Sequence, residues 1–104
     1  YIGNTQKIAI SKSIYACPNG WALFFSKYMN GVASDADSVC VLIHKATLQS
    51  TGDQYKRVLV STYANTIAVK VFHIQDHGTI IAGVSENNSA GENAKTVLRA
   101  VYEW

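Results

Sequence analysis

The chain has 104 residues, which suits one domain whose core is stable by a small margin. Nine basic and seven acidic residues leave a net charge of +2, too weak and too evenly spread for a nucleic-acid binder that works by charge. No apolar run approaches the roughly 20 residues of a membrane-spanning helix, so no membrane insertion is expected.

Residues 6–16 carry Ile8, Ile10 and Ile14 between polar neighbours and predict a first strand, bent near 11–13. Cys17-Pro18-Asn19-Gly20 is turn chemistry: proline fixes one dihedral, and Asn-Gly accepts positive φ. A second strand follows over 21–28, where Trp21, Leu23 and Phe25 alternate with Ala22 and Phe24, and the intervening turn predicts an antiparallel hairpin. Residues 30–38 are small and polar and read as an exposed loop. Residues 39–45 (VCVLIHK) are nearly continuous in apolar character, the mark of a central strand.

The stretch 51–74 reads as one helix running directly into a strand. Thr51 and Gln54 have capping-box spacing, and Asp53 falls in the first turn. Tyr55, Val58, Leu59, Thr62 and Tyr63 then mark one helical face, with Asn65 as the stop. From 67 to 74 the period changes to two, with Ile67, Val69, Val71 and His73 on one side.

Residues 75–78 form a tight turn and 79–84 a fifth strand. A polar loop spans 85–93, and 95–103 is a sixth strand, with a short helix as the competing reading. Three strands, a helix and two strands is the order of an OB-fold, a small Greek-key barrel plugged by its helix, here mainly β in a single domain covering 1–104. An α+β sandwich is the alternative. The outer helix face would show Lys56, Val60 and Ala64, apolar enough to suggest a subunit contact.

Nothing here spells catalysis, and no enzyme, cofactor or metal is expected. His73 and His77 have metal-like spacing only on a helix, but lie in a strand and a turn. His44 in its apolar strand reads as structural, and Asp35 with Asp37 as a solvated loop without a full calcium pattern. Asn87-Asn88-Ser89 is a glycosylation sequon. Tyr15, Tyr28, Tyr55, Tyr63 and Tyr102 exceed what a small core needs, and their flat faces suit sugars or protein interfaces.

Two cysteines, Cys17 and Cys40, make an even count in a small domain. A bridge would close a loop of roughly 24 residues, worth on the order of 3 kcal/mol. Two free thiols in a reducing compartment are the other reading. The chain opens at Tyr1 without methionine, read together with the cysteines as removal of a signal peptide and hence secretion.

VCVLIHKA, a polar connector and QYKRVLVSTYANTIAVKVFHIQ together resemble the B subunits of subtilase cytotoxin and typhoid toxin. Tyr15-Ala16-Cys17 and Lys27 to Gly31 resemble further segments of that family. The resemblance implies a secreted bacterial OB-fold protein that forms a homopentamer. Its helices would line a pore that docks a catalytic A subunit, and its outer strands would bind host glycans, commonly sialylated. The glycan-contacting positions it implies are Lys27, Tyr28, Ser13 and Tyr15. The family's Tyr-Tyr-Ser sugar element has no counterpart in this chain.

Two other functions compete. One is a secreted inhibitor or immunity-type protein that binds a single partner protein through 30–38 and 85–93. The other is a reader of single-stranded nucleic acid, which the weak charge disfavours.

Overall fold

Seven strands form in the computed structural model, which describes residues 2–3, 5–48, 54–88 and 91–104. They are β1 (Lys7–Ala9), β2 (Gly20–Met29), β3 (Val32–His44), β4 (Gln54–Val60), β5 (Ala68–Gln75), β6 (Ile80–Gly83) and β7 (Thr96–Glu103). Short 3₁₀ turns fill several connections. Two antiparallel sheets result, one in the order β1-β6-β5-β4 and one in the order β3-β2-β7. Their inner faces meet in one core. Trp21, Leu23, Phe25 and Ile43 come from the three-stranded sheet, and Val60, Phe72, Ile74 and Ile81 from the other. The domain is thus all β, and the expected barrel does not close among the described residues.

The helix expected over 51–65 is corrected by β4. Gln54 to Val60 pair with Ile74 to Ala68 of β5, residue for residue. Tyr55, Arg57 and Leu59 point outward, while Val58 and Val60 turn toward the core. Tyrosine, valine and leucine at 55, 58 and 59 satisfy both a helical stripe and an alternation. A helix needs a costly nucleus, whereas β5 supplies a full ladder to aromatic and β-branched residues that favour strands. The capping positions Thr51 and Asp53 lie outside the described residues. The pore-lining role for Lys56, Val60 and Ala64 falls with the helix. Val60 is 2% exposed inside its own fold. Ala64 sits in a turn at φ +48°, and Lys56 donates to the Thr47 carbonyl and hydroxyl at 3.0 and 2.9 Å.

The first hairpin is corrected too. β1 pairs with β6, not with β2. The partner of β2 is β3, joined to it by Asn30-Gly31, whose φ values of +54° and +76° are the two-residue turn that matches strand twist. The expected loop 30–38 is therefore mostly strand. Its small polar residues are the outer arm of β3.

Cys17 is buried in the core, whereas Cys40 lies opposite Phe24 on the outer face of the β3-β2-β7 sheet. The sheet separates the two thiols, so the expected bridge does not form. The remaining elements follow expectation closely: strands over 21–28, 67–74, 79–84 and 95–103, and a tight turn at 75–78 with Asp76, His77 and Gly78 all at positive φ.

One glycine sets where the N-terminal segment can run. A Cβ on Gly83 would stand 2.0 Å from the Gly3 carbonyl oxygen and 2.5 Å from that of Ile2. Only glycine admits this approach, and it lets Ile2 enter the core.

Candidate functional site

The outer face of the β3-β2-β7 sheet follows from register. Ala22 of β2 stands between Leu42 of β3 and Tyr102 of β7, and Phe24 stands between Cys40 and Ala100. Directly opposed residues share a face, so these six form two adjoining apolar rows. Leu42 keeps 52% of its surface exposed and Tyr102 60%. At one end His44 meets Trp104 edge-on, with ring centroids 5.6 Å apart.

Beside this face the two sheets stay apart along one seam. β1 ends one sheet, β7 ends the other, and no ladder joins them. Three cavities of about 330, 290 and 520 Å³ line up there. Each shares wall residues with the next, Ile10, Ser11 and Val101 and then Ile8 and Leu98, so they form one groove. An ion pair between Lys12 and Glu103 spans one end, and Tyr28 lines the other. The Glu103 carboxylate holds the Lys12 ammonium above its ordinary pKa.

A polar cluster closes the far end of the sandwich. Lys70 points inward from β5 and donates to the Asn93 carbonyl. Burial lowers its pKa from 10.5 to about 8, because the charged form is the one that loses water. The hydroxyls of Thr62 and Thr96 meet at 3.2 Å, and Ser26 accepts from Arg99 at 3.1 Å. Tyr63 donates to Glu92, and this bond, together with Lys95, holds the Glu92 carboxyl below its usual range.

The four expected sugar-contacting residues do not converge. Ser13 caps the turn Ile14–Ala16, donating to the His77 carbonyl at 2.9 Å and accepting from the Tyr15 amide at 3.2 Å. Ser13 and Tyr15 lie near the Gly20 end of β2, where the Trp21 indole donates to the Lys12 carbonyl. Lys27 and Tyr28 lie at the other end, about 20 Å away along an extended strand. Lys27 pairs with Asp37 at 3.3 Å and stands 5.9 Å over the Tyr63 ring.

The histidines and loop acids are also engaged locally. His73 stacks on Tyr55 at 4.3 Å and meets Gln75 at 2.9 Å. His77 lies beside Asp76, and His44 accepts from the Ala46 amide. Asp35 pairs with Arg99 at 2.9 Å. Among the described residues no three His, Cys, Asp or Glu side chains gather as metal ligands.

Sequence reasoning placed Tyr102 among the tyrosines surplus to the core, which its exposure matches, but missed Leu42 and Phe24 as surface residues. The signal was present in VCVLIHK, whose unbroken apolar run implies burial on both faces. The fold covers only one of them. Comparison with family models, with curated proteins and with solved structures finds no match.

Proposed function

We propose that the protein is a non-enzymatic recognition module that buries the outer face of its β3-β2-β7 sheet against one partner protein. One observation carries this reading: β3 has the composition of a strand covered on both sides, yet Cys40 and Leu42 face solvent. Tyrosine, here Tyr102, is among the residues that most often anchor protein interfaces. The partner contact moves from the loops 30–38 and 85–93 to the sheet face, because the first is largely strand and the described residues of the second fall largely in two 3₁₀ turns packed on β5. The OB-fold barrel and its glycan-binding, pentameric ring rested on a helix that the chain does not form, and secretion rested partly on a bridge that it does not make. Neither carries any part of this reading.

The test compares the protein with Leu42→Glu and Tyr102→Glu in affinity capture from the source cells, alongside a glycan array and light scattering. One protein retained by the parent and lost from both variants, with their melting temperatures unchanged, is the expected result. Glycan binding that persists in both variants, or a stable pentamer, overturns it.

A further inference from the structure

The seam between the sheets adjoins that sheet face and shares Tyr102 with it. β7 gives one edge to β2 over Trp21 to Lys27, and β1 gives one edge to β6. The opposite edge of each strand faces the groove. No backbone hydrogen bond crosses from β1 to β7 among the described residues. Backbone donors and acceptors beside a groove must find water or another chain. Proteins normally blunt a free edge with a charge, a bulge or a covering segment, because it invites pairing. β7 carries one bulge, where Leu98 and Ala100 oppose adjacent Phe25 and Phe24, and the rest of its groove edge stays open.

The groove's chemistry selects its occupant. Ile8, Ile10, Leu98 and Val101 give it apolar walls. Its lining holds two lysines, Lys7 and Lys12, against one carboxylate, Glu103. Glu103 and Lys12 neutralise each other. The Arg99 guanidinium turns away from the seam across β2 to Ser26 and Asp35. This leaves Lys7 as the lining cation without an acidic partner among the described residues. Lys7 stands exposed on β1. We infer that the groove accepts an extended acidic segment of a partner protein, which adds a strand to the free edge of β7. Its alternate apolar side chains enter the walls and one of its carboxylates meets Lys7. Main-chain bonds give such a complex affinity, and pockets for every second side chain give it specificity. A segment matching the eight residues of β7 spans about 26 Å.

The probe is a synthetic nine-residue peptide alternating valine and glutamate. Two controls are its lysine counterpart and a version N-methylated at alternate residues, which removes backbone donors. The acidic peptide is expected to slow hydrogen exchange of the β7 amides that face away from β2. Both controls should bind at least about tenfold more weakly, the loss expected from reversed charge or several missing backbone bonds. Lys7→Glu should weaken the acidic peptide severalfold without moving the melting temperature. Three results overturn the inference: no protection of β7 at millimolar peptide, equal binding of either control, or a dimer whose β7 amides are protected without peptide. The last would assign the edge to a second copy of the chain.

Discussion

The side-chain amide of Asn87 stands in for a strand beside Val71. Its Oδ1 accepts from the Val71 amide at 2.9 Å, and its Nδ2 donates to the Val71 carbonyl at 2.7 Å. β6 pairs with β5 only from Phe72 onward, so Val71 would otherwise lose both bonds in a buried place. The same Nδ2 donates to the Ile2 carbonyl at 2.7 Å, tying in the N-terminal segment. Asn87→Ala leaves three buried backbone groups without partners and is expected to cost about 3 kcal/mol, read from urea unfolding. The sequon has the same explanation. In the folded protein an asparagine buried with both amide protons engaged is out of a glycosyltransferase's reach, and an unchanged intact mass after the purified folded protein is incubated with such an enzyme checks this.

Gly83 and Asn87 hold the same segment from two sides. Gly83→Ala places a Cβ against the backbone oxygens of Gly3 and Ile2, so the segment must shift at a cost of about 2–3 kcal/mol. Because Asn87 also binds Ile2, the double variant should lose less than the sum of the two. A double-mutant cycle in urea measures the difference.

Lys70 gives the fold a dependence on alkaline pH. The folded pKa of about 8 lies below the unfolded 10.5. Between these values the unfolded chain binds more protons, so stability rises with pH. The contribution is complete above pH 10.5 and is lost as pH falls through about 8. Lys70→Met should flatten this rise, seen as the difference between the two proteins in urea midpoints across that interval.

The thiols should differ sharply in access. Cys40 faces solvent and Cys17 is packed in the core. A chromogenic disulfide reagent is expected to label one thiol in the native protein and two in denaturant. Cys40→Ser should abolish native labelling. Two reactive thiols, or none, in the native protein would contradict this placement.

Strands whose signal is local were legible. Trp21, Leu23 and Phe25 alternate as read, and the residues after Thr66 change period where β5 begins. Tyr55, Val58 and Leu59 misled because a strand and a helix can share that pattern, and the pairing with β5 that decides between them is a contact with residues further along the chain. The first hairpin failed for a similar reason. Gly20 begins β2 rather than ending a turn, and β1 finds its partner some 70 residues on, at Ile80 to Ala82. The seam and the bare sheet face were illegible for the same cause, since each depends on which strand stands last in its sheet. VCVLIHK did announce a double-sided apolar strand, but not that its second cover would be missing.

The sheet that stands between the two sulfurs has a consequence for where the molecule can live. Its cohesion owes nothing to an oxidant: dithiothreitol should leave its melting point unmoved, and a cytosol rich in glutathione should serve it as well as the space outside a cell. Its two free thiols set no requirement for one compartment over another.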